Sequence, residues 1–175
     1  MTSPKPIGSK IIMFLATAML LLAYAPANAD QTDPKLDKLF AALQTSLSNA
    51  NAASLEREIW AIWTRYPDDQ AINRQMDRAI KMMNAGRLDD AEAMFSAIIS
   101  RKPAFAEAWN KRATVRFFRG DDAGSANDIL QVIKLEPRHF GALSGLGMIK
   151  VREGDLQGAL QAYRAAQRIN PFLPN

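Results

Sequence analysis

Gly86, Gly120 and Gly154 stand 34 residues apart, and Pro103, Pro137 and Pro171 repeat the same interval in step. Two kinds of punctuation sharing one period describe stacked supersecondary units, not a core wrapped around an active site. The units run over residues 72–105, 106–139 and 140–173. Each divides alike into a first helix, a turn marked by its glycine, a second helix and a terminating proline. Glycine accepts the left-handed backbone that ends a helix, and proline keeps the second helix from running into the next unit. The expected fold is all-α, an α-solenoid of stacked antiparallel helix pairs.

A less regular hairpin precedes the array, over residues 30–71. Asp33 is a candidate N-cap and Pro34 suits a first turn. Leu36, Leu39, Phe40 and Leu43 follow at the spacing of one helical face. Residues 46–51 (SLSNAN) read as a turn, and Leu55, Ile59, Trp60, Ile62 and Trp63 mark a second helix that stops at residues 66–69. Pro67 lies 36 residues before Pro103, so the hairpin is a degenerate unit, off period by two. It is expected to cover the open side of the first unit, with Trp60 and Trp63 supplying buried area.

The first 29 residues read as an export signal. Lys5 and Lys10 form a basic start, residues 11–25 carry no charge, and Ala27 and Ala29 place small residues where a signal peptidase cuts. The apolar run falls short of the ~20 residues of a membrane-spanning helix. Cleavage after Ala29 would leave 146 residues with a net charge of +2, against +4 for the whole chain. The expected location is periplasmic or secreted, with no membrane span after cleavage. No basic cluster with interleaved aromatics is present, so nucleic acid is not an expected partner. The chain has no cysteine, which removes disulfides, thiol catalysis, thiolate metal sites and N-terminal Cys lipidation.

Within the period Trp109 stands at the fourth position of unit two, and Leu146 and Gly147 stand at the seventh and eighth of unit three. Position eight is Ala79, Ala113 and Gly147; position twenty is Ala91, Ser125 and Ala159; position twenty-four is Phe95, Ile129 and Tyr163. In these residues the chain resembles the tetratricopeptide repeat (TPR) family, and its exported bacterial members in particular. The pattern departs from the family at position seven, where Arg78 and Arg112 replace leucine, and at position eleven, where Met82, Arg116 and Lys150 replace tyrosine. An arginine at a helix seam needs a carboxylate, and Asp128 is the expected partner of Arg112. At the far end Arg164 and Gln167 occupy positions where earlier units carry apolar residues, so the last helix is expected to be a polar end, with Phe172 and Leu173 folding back over what apolar surface remains.

Catalytic constellations are weak. His139, the one histidine, has no companion ligands at metal spacing and is expected to bond nearby backbone carbonyls. Ser144 has no strand–turn–helix elbow and no His–acid pair. The expectation is therefore no enzyme, no cofactor and no metal. The competing readings are a small periplasmic hydrolase or metal-binding protein using His139 and Ser144, and a self-associating structural protein using its convex face.

The TPR resemblance implies a concave groove lined by the first helices, and hence a protein or peptide partner. Carried over position by position, the groove would comprise Asn73, Met76, Ile80 and Met83 from unit one and Glu107, Asn110, Thr114 and Phe117 from unit two. Unit three would add Gly141, Ser144, Met148 and Val151. The clamp by which some members hold a C-terminal carboxylate is not expected, because Met76, Ile80, Gly141 and Gly145 stand at its places and only Lys111 is basic. An apolar groove with three methionines suits varied apolar partners, unless the N-terminal hairpin or the tail already fills it.

Overall fold

The computed structural model describes residues 32–174, and the export-signal reading of residues 1–29 lies outside them. The described residues form eight helices and no strand. The N-terminal hairpin is α1 (Pro34–Gln44) and α2 (Asn49–Trp63). The three units follow as α3 (Gln70–Asn84) with α4 (Leu88–Arg101), α5 (Ala106–Phe118) with α6 (Asp122–Leu135), and α7 (Phe140–Arg152) with α8 (Leu156–Ile169).

The ladder of glycines does what its period requires. Gly86, Gly120 and Gly154 have φ of +74°, +81° and +77°. At all three turns the next residue's N–H reaches back to a helix carbonyl: Arg87 to Met82, Asp121 to Arg116 and Asp155 to Lys150. That is the Schellman closure, which satisfies carbonyls the helix end would leave open. Asp121 and Asp155 then cap α6 and α8 by accepting from the N–H of Gly124 and Gly158. Asp69 does the same for α3 through Ile72, so that helix begins two residues before the unit boundary. In the hairpin, Ser48 caps α2 from within the expected turn, so the helix starts at Asn49.

Side chains of successive units interlock in two core clusters. One gathers Ile72, Met76, Phe95, Ile98, Phe105 and Val115 from units one and two. The other joins Ala113, Ile129, Val132, Ala142 and Ile149 from units two and three. The expected Arg112–Asp128 pair forms, with two hydrogen bonds of 2.8 and 2.7 Å, and a third bond of 3.0 Å runs from Arg112 to Ser96 of unit one. Arg116 adds contacts to Asp128 and to Glu92 of unit one. Arg78, with no unit before it, stays exposed.

The hairpin does not cover unit one. Its core cluster joins Leu36, Phe40, Leu43, Ile59 and Trp63 to Phe140, Leu143 and Ala166 of unit three. The cause lies in the linker between α2 and α3. Asn73 receives the N–H of Tyr66 at 2.7 Å and donates to its carbonyl at 2.9 Å, and Asp68 takes the left-handed conformation at φ +56°. The Tyr66 ring then rests edge-on against Phe105, and α2 is led across the first turns of α5 and α7. Phe172 and Leu173 pack into this same cluster and not over the free end of α8.

That free end is also less polar than expected. Leu156 and Leu160 are 67% and 42% exposed there, beside the expected Arg164.

Candidate protein-binding cleft

The hairpin divides the surface formed by the first helices. Over the first turns of α5 and α7, Trp63 stacks on His139 with ring centroids 4.1 Å apart, and Trp60 meets Phe140 edge-on at 5.6 Å. A side chain at Gly141 would come within 2.6 Å of Trp60. That glycine makes room for the hairpin, and its other side borders the open surface beyond it. Polar latches hold the rest: Gln44 donates to the carbonyls of Arg168 and Ile169, Asn170 donates to Glu56, and Arg138 pairs with Asp37.

Beneath the tryptophans lies a buried polar group. His139 caps α7, its Nδ1 accepting from the N–H of Ala142 at 3.1 Å, which places the ring proton on Nε2 facing Glu107 Oε2 at 2.9 Å. This corrects the expectation that His139 bonds backbone carbonyls. Glu107 is fully buried and also receives Asn110 at 2.9 Å, while the Lys111 ammonium stands 3.1 Å from its other oxygen, an ionic contact without hydrogen-bond alignment. Burial pushes the Glu107 carboxyl up, but Lys111 and His139 outweigh it and hold the group below its usual value of 4.5. With both ring nitrogens of His139 engaged and the ring buried, the geometry gives no support to a His139–Ser144 site. Among the described residues no three His, Cys, Asp or Glu side chains stand together as a metal site would need.

Beyond the edge of the hairpin the surface is open. Asn110, Thr114, Phe117 and Met148 line a cleft of about 130 Å³ with Ala113, Phe118, Ile129 and Gly145. These four, with Gly141 at the hairpin edge of the cleft, are the expected groove residues that the structure brings together. Phe118 and the floor residue Ile129 were not foreseen, Phe118 because it lies one step off the expected stripe. Arg152 backs the Phe117 ring, 3.7 Å from its centroid, and is itself tied to Asp122 and to the Phe117 carbonyl. The Thr114 hydroxyl is spent on the Asn110 carbonyl. The cleft therefore offers apolar walls and little hydrogen bonding. It is smaller than the ~300 Å³ at which pockets for drug-sized ligands begin.

The other expected groove residues are elsewhere. Met76 is fully buried in the first core cluster, where Tyr66 packs after being turned back, so its position faces inward. Glu107 is sealed under the hairpin. Asn73 holds the linker. Ile80 and Met83 are half-buried against the first cluster, Ser144 is half-buried outside the cleft, and Val151 is exposed beyond its far edge.

Comparison with known proteins agrees with this architecture. The tetratricopeptide repeat family model matches residues 76–131 and 111–174. A TPR repeat-containing protein of Rhizobium etli is 36% identical over 137 residues, covering 78% of this chain and 67% of that protein. The cellulose synthase 2 operon protein C of Komagataeibacter xylinus is 32% identical over 97 residues, and the human DnaJ homolog subfamily C member 3 is 26% identical over 100. This chain spans only 7% and 20% of those two proteins. With a 34-residue period closed by one turn type, interlocking helix pairs and a family match over more than half its length, the chain belongs to the tetratricopeptide repeat family.

Proposed function

We propose that this chain is a non-enzymatic protein-binding module of the bacterial envelope, exported by its N-terminal segment, and that it takes a partner in the cleft between α5 and α7. The observation that carries the reading is the cleft itself. Apolar side chains from two units converge there, and Met148 is 46% exposed, while the neighbouring surface is filled by the chain's own tryptophans. A surface that accepts Trp60 and Trp63 from an amphipathic helix suits a further apolar helix or extended peptide laid beside them. Met148 and Phe118 supply adaptable contact area at its mouth.

The test places a photo-crosslinking residue at Thr114 in producing cells, with and without Met148→Glu. The expected result is a discrete crosslinked partner that Met148→Glu abolishes without loss of helical signal. Capture unaffected by Met148→Glu would contradict the assignment. The export reading is checked by sequencing the N-terminus of the purified protein. Asp30 is the expected first residue, and an N-terminus at Met1 or Thr2 would refute it.

A further inference from the structure

The second helices of the units carry a stripe that seats the next unit, and comparing the three copies of it singles out the last. In unit one the stripe is Leu88, Glu92 and Ser96: Leu88 packs into the core shared with unit two, Glu92 pairs with Arg116, and Ser96 accepts from Arg112. In unit two its first two members are Asp122, bonded by Arg152, and Ala126, packed in the core shared with unit three, while the third, Leu130, stays 56% exposed, so the seat proper is the first two positions. In unit three the corresponding residues are Leu156, Leu160 and Arg164. Nothing among the described residues covers them: Leu156 is 67% and Leu160 42% exposed, and Val151 beside them on α7 is 49% exposed. Leucines at two adjoining register positions that are covered in both earlier units mark a seat for another helix.

Charge decides which helix. One arrangement continues the array, with α3 of another copy seated as α5 is seated on α4. By the register in which Arg112 meets Ser96, that would set Arg78 against Arg164, two like charges. The other arrangement is antiparallel contact of two α8 helices about a two-fold axis at Leu160. Residues equally far before and after Leu160 then face each other, so Leu160 meets Leu160 and Leu156 meets the aliphatic stem of Arg164. The Arg164 guanidinium arrives at the N-terminal end of the partner helix, where Asp155 and Glu153 are about half exposed and share one cation, Lys150, between them. Arg164 has no ion-pair partner within its own chain among the described residues. We infer that the Leu156–Leu160–Arg164 stripe of α8 is a self-association surface, occupied by α8 of a second copy in an isologous dimer.

The test is analytical ultracentrifugation across a dilution series of the protein purified as the producing cell leaves it. The expected mass is twice that of one chain. Leu160→Glu, at a half-exposed site that keeps its helix, should weaken association by roughly 100-fold or more, since it removes two apolar contacts and juxtaposes two carboxylates. Arg164→Glu should weaken it about tenfold, and adding Glu153→Arg should restore it. Arg78→Glu, at an exposed site on α3, should change nothing. A one-chain mass for the unmodified protein at every concentration would overturn the inference. So would a dimer that survives Leu160→Glu, or association changed by Arg78→Glu.

Discussion

The three-unit array and the N-terminal hairpin are built from similar helices but are held by different means. In the array each helix is fixed by its sequence neighbours, with one Schellman turn repeated at Gly86, Gly120 and Gly154 and ion pairs that step from one unit to the next. The hairpin is fixed by residues far along the chain: Gln44 reaches carbonyls 124 and 125 residues away, Asp37 pairs with Arg138, and Trp63 stacks on His139. Local rules settle the first region and long-range side-chain docking settles the second. The docking carries a cost as well, because the buried Trp63 indole N–H has no hydrogen-bond partner.

The largest expected effects contrast the two cores directly. Phe95→Ala, at a fully buried side chain between units one and two, should cost ~3–5 kcal/mol in denaturant unfolding and loosen the array as a whole. Trp63→Ala should cost a similar ~3–5 kcal/mol, but hydrogen exchange should show the loss confined to α1, α2 and the first turn of α7. Equal loosening of α3 and α4 by Trp63→Ala would show that the hairpin and the array unfold as one unit. Next comes Asp128→Ala, which leaves Arg112 and Arg116 facing each other without their shared carboxylate; about 3 kcal/mol or more is expected, again by denaturant unfolding.

Stability should also respond to pH. Because the Glu107 carboxyl lies below its usual 4.5 in the folded protein, the unfolded chain binds that proton more readily. The stability it contributes is therefore full above that value and drains away as pH falls through the lower folded value. Glu92, held low by Arg116 and Arg119 against the opposing effect of burial, contributes in the same direction. Melting temperatures measured on both sides of pH 4.5 should fall more steeply for the wild type than for Glu107→Gln. Identical slopes would mean that Lys111 and His139 do not hold the Glu107 carboxyl low. The smallest effect belongs to the turns. Gly86→Ala, Gly120→Ala and Gly154→Ala each meet open space but retain a positive φ, so each should cost about 1 kcal/mol and all three alike.

What the sequence revealed follows the same division. The period placed the three helix pairs of the array, the Gly and Pro ladders placed the turns, and the Arg112–Asp128 pair was legible because the two residues, 16 apart, face each other from the paired helices α5 and α6 of one unit. The path of the hairpin was not legible. It depends on Asn73 bracketing Tyr66 and on Trp60 finding a glycine at position 141, and neither leaves a periodic trace. For that reason Met76 and Glu107 were assigned to a surface that Tyr66 and Trp63 close off. The free end was misjudged differently: Arg164 and Gln167 drew attention to polarity, while Leu156 and Leu160 lie on the neighbouring stripe. His139 offered one clue, as a lone histidine directly ahead of a helix, which is a capping position.

The hairpin crosses to unit three and leaves the α5–α7 cleft open beside it. The absence of cysteine makes a direct test available, since two introduced thiols would be the only ones present. Gln44→Cys with Arg168→Cys should be joined within one chain by a short bifunctional thiol reagent, at a yield independent of dilution and lost in denaturant. Gln44→Cys with Arg78→Cys should not be joined. Efficient joining of Cys at 44 and 78, with none at 44 and 168, would place the hairpin on unit one instead.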